Sequence, residues 1–203
     1  VFQVFRQDLG IIAAKVIKKR KFDIKEWATG LQLGKDHQNP FVPKYLSADP
    51  HGENVVILME YANLGDLDSI IDNTSKNIPI SVFRAILKQI LEGLRIMHKQ
   101  GLIHRDIKGG NILLHNPPGT EKIVLKIADY GLVKVIKNIG KSTKMSYAGT
   151  QSHMAPELLI GNEEGDVKAD DKIDIWSTGI LAFQLLTHKY PFKSAKLPAI
   201  MSI

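Results

Sequence analysis

Near residue 60 the sequence changes texture, and that change limits the folds open to the chain. Before it, "VFQVFRQD", "GIIAAKVIKK" and "NVVILMEYA" are runs rich in Val, Ile and Phe separated by polar turns, the pattern of short strands. Only "DIKEWATGLQLGKD" between them carries a helical pattern. After it, helical periodicity takes over. "SVFRAILKQILEGLRIMHKQG" places Val82, Phe83, Ile86, Leu87, Ile90, Leu91 and Leu94 on one stripe and stops at Gly101, which predicts a core-packing helix. "NILLH" and "VLKIADYG" predict two short strands joined through the Pro-Pro-Gly turn of "NPPGTEK". An irregular segment from Leu132 to about Met154 then precedes two further helical patches, "APELLIG" and "KIDIWSTGILAFQLLTHKY". The organisation expected is an α+β fold in which a small sheet-rich unit joins a larger helical unit at "MEYANLG".

Composition narrows the classes. At 203 residues, 44% apolar and 24% charged, the chain can bury a sizeable core. It has no cysteine, so disulfides, thiolate metal sites and cysteine redox chemistry are excluded, and a reducing compartment is compatible. The longest apolar-leaning run, Ile173 to Leu186, contains Asp174, Ser177 and Thr178 and is too short to span a bilayer; it predicts a buried helix and no membrane partner. The net charge of +6 is concentrated in Lys15 to Lys25 and Lys134 to Lys144, two separate segments without interleaved aromatics. These read as solvated faces or phosphate docking, so no nucleic-acid partner is expected. The chain opens at Val1 in a strand-like run with no signal-peptide pattern, and a fragment cut at both ends is expected, from a cytoplasmic protein with the nucleus also open.

The chemistry concentrates in "GLIHRDIKGGNILLH" and "IADYG". Asp106 lies between an apolar helix end and an apolar strand, with Asn111 five residues later, so one loop can aim both into one cleft. Asp129 ends another apolar strand, and Gly131 lets the backbone turn. Two carboxylates and an amide oxygen are hard ligands that suit Mg2+ bound partly through substrate phosphates. Lys15 projects from the otherwise apolar "IIAAKVI", where an ammonium is costly unless it meets an anion. Glu26 on the following helix is an available partner. Together these parts point to nucleotide phosphoryl transfer, in which positioning and charge neutralisation supply most of the catalysis.

Five stretches, in order along the chain, resemble the motifs of eukaryotic protein kinases. "AAKVIKK" resembles the Ala-x-Lys strand; "HRDIKGGN" resembles His-Arg-Asp-x-Lys-x-x-Asn; "ADYG" resembles Asp-Phe-Gly; "GTQSHMAPE" resembles Gly-Thr followed by Ala-Pro-Glu; "DIWSTG" resembles Asp-x-Trp-Ser-x-Gly. The resemblance implies a bilobal kinase-like fold over residues 1–203, with an N-lobe of antiparallel sheet and one helix at 1–60, a hinge at 60–65 and a mainly helical C-lobe at 66–203. The glycine-rich loop that would precede Val1 and the last helices after Ile203 are absent from the sequence.

The same resemblance implies roles for individual residues. Asp106 orients and deprotonates the substrate hydroxyl, Lys108 stabilises the transferring γ-phosphate of ATP, and Thr150 completes that group. Asn111 and Asp129 hold Mg2+. Lys15 contacts the α- and β-phosphates and is held by Glu26. Met59 falls at the gatekeeper position, the backbones of Glu60 and Ala62 face the adenine edge, Val1, Ala13 and Leu113 its faces, and Asp66 the ribose. His104 packs beneath Tyr130, and Asp174 ties down the loop; the other six histidines are assigned no chemistry. Lys108, with Thr150 after Gly149, resembles the serine/threonine type, which implies protein substrates with Ser or Thr. Ser146, three residues before Gly149, is the candidate phosphosite for an upstream activating kinase, with Arg105 and Lys134 as its cationic partners. A pseudokinase or scaffold that binds nucleotide without catalysis is the alternative.

Overall fold

The structure, a computed structural model, describes residues 1–34, 39–136, 142–145, 148–160 and 167–192. Strands β1 (Phe2–Arg6) and β2 (Gly10–Lys18) form a hairpin. Helix α1 (Ile24–Gly34) follows an exposed 3-10 turn at Lys19–Lys21, then β3 (Tyr45–His51) and β4 (Asn54–Glu60) form a second hairpin. All pairings are antiparallel and the strand order is β1-β2-β4-β3. The sequence pattern marked three of these strands and missed β3. Its "YLSADPH" has no apolar alternation and carries Pro50, features that an edge strand tolerates.

After Glu60 the chain becomes mostly helical: α2 (Asp68–Ile71), α3 (Ile80–Lys99), β5 (Leu102–Ile103), β6 (Ile112–His115), β7 (Val124–Ile127), β8 (Lys134–Val135), β9 (Thr143–Met145), α4 (Pro156–Ile160), β10 (Val167–Ala169) and α5 (Lys172–Thr187). Pairs β6-β7, β5-β8 and β9-β10 are two-stranded and antiparallel. The stretch expected to be irregular from Leu132 therefore contains β8 and β9. Strands of two and three residues are too short to show a period, and their partners lie far away in sequence.

Helix α3 ends as expected: Gly101 takes φ 72° and its N–H donates to His98 O at 2.9 Å. Its buried stripe is narrower than the pattern implied. Ile86, Ile90, Gly93, Leu94 and Met97 face inward, whereas Val82 and Leu91 are exposed. Helix α5 is the buried helix expected over one side of its surface. Ile173, Leu181 and Leu185 are buried, but Ile175, Phe183 and Leu186 face outward among the described residues. No helix among the described residues is long and apolar enough to cross a membrane. One core runs without interruption from the underside of the sheet (Ala13, Ile57, Met59) through Leu67 and Ile112 to α3 and α5 (Leu94, Leu185). A second cluster, with Met145, Leu158 and Ile173, supports the segment after Asp129.

Candidate active site

The loop between β5 and β6 is built from below. Asp174, fully buried on α5, accepts hydrogen bonds from the backbone N–H of His104 (2.9 Å) and of Arg105 (2.8 Å), and its carboxylate meets His98 Nε2 at 2.8 Å. His98, given no role by the sequence, thus ties the end of α3 to the same carboxylate. Arg105 takes φ 73°, which turns the chain sharply before Asp106. His104 Nδ1 receives the Asp106 N–H at 3.3 Å, so Nε2 carries the proton that points at Ala128 O, 3.0 Å away. Complete burial, opposed by the charge of Asp174, holds this imidazole below its usual value. Its ring meets Tyr130 edge-on with centroids 6.1 Å apart, and the Tyr130 hydroxyl donates to Ile127 O at 2.8 Å.

Asp106 is presented above this base. Its Oδ1 accepts from Thr150 N (3.0 Å) and the Thr150 hydroxyl (2.6 Å), and its Oδ2 accepts from Asn111 Nδ2 (2.9 Å) and Lys108 Nζ (2.9 Å). Lys108 Nζ also reaches Thr150 Oγ1 at 2.9 Å. Burial would raise the Asp106 carboxyl, but Thr150, Lys108 and Asn111 outweigh it and hold it below the ordinary value, so it is ionised at neutral pH. Gly109 and Gly110 leave room for the Asp68 carboxylate, which receives the Gly110 N–H; a Cβ on Gly109 would collide with it.

Lys15 Nζ lies 2.7 Å from Glu26 Oε1 and 3.3 Å from Asp129 Oδ1. Burial pushes the ammonium down; the bond to Glu26 and the charges of Asp129 and Glu26 reverse this and leave it above its ordinary value. Asp129 takes φ 66° and its side chain is 54% exposed, turned into the opening between the sheet and the loop. That opening is a cleft of about 520 Å³, and Val1, Ala13, Lys15, Met59, Glu60, Ala62, Asp66, Leu113, Asn111 and Asp129 all line it. Glu26 stands behind Lys15. The volume suits a nucleotide-sized ligand. Glu60 spends its carboxylate on Lys126 Nζ (3.0 Å) and Lys44 N (3.1 Å), away from the cleft. Tyr45 also lines the cleft, and no sequence motif marks it.

Asn111 spends its amide N–H groups on Asp106 O (2.8 Å) and Oδ2 (2.9 Å), which leaves Oδ1 as its unspent oxygen. With the Asp129 carboxylate it forms a hard oxygen pair. Among the described residues no group of three or more His, Cys, Asp or Glu side chains is placed to hold a metal alone. This donor set fits Mg2+, which keeps several waters and takes one or two protein oxygens plus substrate phosphates. Ser146 lies outside the described residues.

Residues 1–202 match the family model of the protein kinase domain. The chain belongs to the protein kinase family. It is 37% identical over 193 residues to serine/threonine-protein kinase cds1 of Schizosaccharomyces pombe, covering 90% of this chain and 40% of cds1. It is 30% identical over 190 residues to serine/threonine-protein kinase ULK1 of Homo sapiens, covering 91% of this chain and 17% of ULK1. With mitogen-activated protein kinase kinase kinase 4 of Mus musculus the identity is 31% over 200 residues, 95% of this chain and 12% of the relative. The kinase chain thus spans 40% or less of the length of these relatives. Its antiparallel sheet and helical partner are the α+β architecture of a kinase domain.

Proposed function

We propose that this chain transfers the γ-phosphate of ATP to serine or threonine hydroxyls of protein substrates. The observation that carries the reading is the Asp106 carboxylate, ionised and held by Lys108, Thr150 and Asn111, the last of which lines the same cleft as Lys15 and Asp129. In this reading residues 1–60 are the N-lobe, 60–65 the hinge and 66–203 the C-lobe.

In this mechanism Ala13, Met59 and Leu113 enclose the adenine, Asp66 lies beside the ribose, and Lys15, held by Glu26, contacts the α- and β-phosphates. Asn111 Oδ1 and the Asp129 carboxylate would hold Mg2+, which would neutralise charge on the phosphates. Asp106 accepts a hydrogen bond from the substrate hydroxyl and orients it in line with the γ-phosphorus. As the new O–P bond forms, the bond to the bridging oxygen breaks, ADP departs, and the hydroxyl proton passes to Asp106. Lys108, already beside Asp106 and Thr150, stabilises charge on the moving group. Arg105 and a phosphate on Ser146 form the proposed activating contact.

The test is Mg·ATP-dependent phosphate transfer to a generic basic protein by the wild-type chain, Asp106→Asn and Asp129→Asn. The expected loss in kcat for each variant is about 10²–10⁴-fold. Equal activity in all three would overturn the assignment.

A further inference from the structure

The stretch after β4 runs beside β6 without being a strand of its own. Leu64 N donates to Leu114 O at 3.0 Å, Leu114 N donates to Gly65 O at 2.8 Å, and Asp66 pairs with Leu113 in an isolated antiparallel bridge. Asp66 and Leu113 both line the cleft. The alignment of this stretch along β6 therefore sets the gap between them. So few bonds specify a register weakly, and Leu64 and Gly65 are exposed, with no buried face to add to it.

Asn63 extends the pairing by one step with its side chain. Its Nδ2 donates to Asn116 O at 3.0 Å and its Oδ1 accepts from Asn116 N at 2.8 Å, so one carboxamide takes both backbone groups of the residue just past β6. A carboxamide carries the donor and the acceptor of a peptide unit, and here it acts as one more rung of the ladder. Its partner is immobilised. Asn116 Nδ2 donates to Thr120 O (2.9 Å) and Lys122 O (2.8 Å), closing the turn between β6 and β7. On the helix side Gln89 of α3 repeats the device, donating Nε2 to Ile123 O (3.2 Å) and accepting from Leu125 N (3.1 Å). One amide thus ties the hairpin to α3 and another ties it to the hinge.

We infer that Asn63 is a positioning residue for the nucleoside end of ATP: its carboxamide, closed on Asn116, fixes the register of the hinge against β6 and with it the gap between Asp66 and Leu113. The inference rests on the proposed ATP site and adds to it a residue that none of the five kinase motifs contains. Its reach stops at the adenine and ribose. Lys15 and Asn111, proposed for the phosphates and Mg2+, are held by Glu26 and Asp106 instead.

The experiment measures binding of Mg·ATP and of adenosine alone, steady-state kinetics with a generic basic protein, and thermal melting for the full chain and four variants. Asn63→Ala removes both bonds; Asn63→Asp keeps the acceptor but sets a carboxylate against Asn116 O. Each is expected to weaken Mg·ATP and adenosine by the same factor, about 3–10-fold, raising KM for ATP while kcat and KM for the protein substrate stay within about twofold. Lys15→Met should weaken Mg·ATP and spare adenosine. Gln89→Ala removes the matching pair of bonds on the helix side, and should lower the melting temperature with adenosine affinity within about twofold of wild type. Wild-type affinity for both ligands in Asn63→Ala would overturn the inference. So would a loss confined to Mg·ATP, or an equal loss of adenosine binding in Gln89→Ala, which would reduce Asn63 to general support of the hairpin. A wild-type chain that binds both ligands without transferring phosphate would defeat the proposed function alone, and the two affinities would still decide this point; one that binds neither would overturn both.

Discussion

The loop around Asp106 and the helix around Glu26 each hold a residue of one cleft, Asn111 and Lys15, but they are held in opposite ways. The loop hangs on polar anchors: Asp174 takes two backbone N–H groups and His98, and Asp106 is itself held by Thr150, Lys108 and Asn111. The helix rests on the Tyr45 ring, which fills the notch left at Gly30, and on one ion pair. Polar anchorage uses conspicuous residues in a short stretch, whereas a notch is written as the absence of a side chain. The first can be read from a sequence; the second has to be seen.

The contrast can be broken most forcefully at Asp174. Asp174→Ala leaves the His104 and Arg105 N–H groups and His98 without their acceptor, and should cost about 3–5 kcal/mol. Urea unfolding measures it, and a loss under about 1 kcal/mol would mean the loop does not depend on this anchor. On the helix side, Lys15→Met strands the Glu26 carboxylate, whose side chain is only 9% exposed. The expected cost is about 2 kcal/mol, and adding Glu26→Gln should recover about half, read as a coupling energy in a double-mutant cycle.

A smaller effect sharpens the comparison within the loop. Gly109→Ala pushes against the Asp68 carboxylate and should cost about 1 kcal/mol, less than Lys15→Met, with Asp68→Ala relieving it. The smallest effect is that of pH. Burial holds His104 and His153 below the ordinary value of 6.5. The unfolded chain therefore binds protons first, so stability is complete above pH 6.5 and falls as pH drops below it toward the folded values, by on the order of 1 kcal/mol. Unfolding midpoints at about pH 7.5 and about pH 5.5 should separate, and His153→Gln should narrow the gap.

The same logic explains what could be read in advance. Lys15, Asp106, Asn111 and Asp129 were legible as charged or amide residues bounded by apolar runs; the structure brings Lys15, Asn111 and Asp129 to one cleft and bonds Asp106 to Asn111 beside it. Long elements with strong periods, α3 above all, were legible too. The width of the α3 stripe was not, because the period does not say how far a neighbour reaches around a helix, and Val82 and Leu91 are left outside. Strand β3 was hidden by its polar residues and Pro50, and with it Tyr45. His98 was passed over because its partner, Asp174, lies 76 residues away.

A β-bulge between Tyr45 and Ser47 leaves Leu46 without a partner and gives the upper half of the molecule an adjustable phase. Downstream of it, β3 stays in step with β4 from Ser47 to His51; upstream, Tyr45 turns by its own rule into the helix. One surplus residue thus uncouples two demands that a straight strand would have to meet together. Removing Leu46 would leave the ladder able to close while stripping the ring of its freedom to aim, so the length of this strand, as much as its composition, is part of how the cleft is tuned.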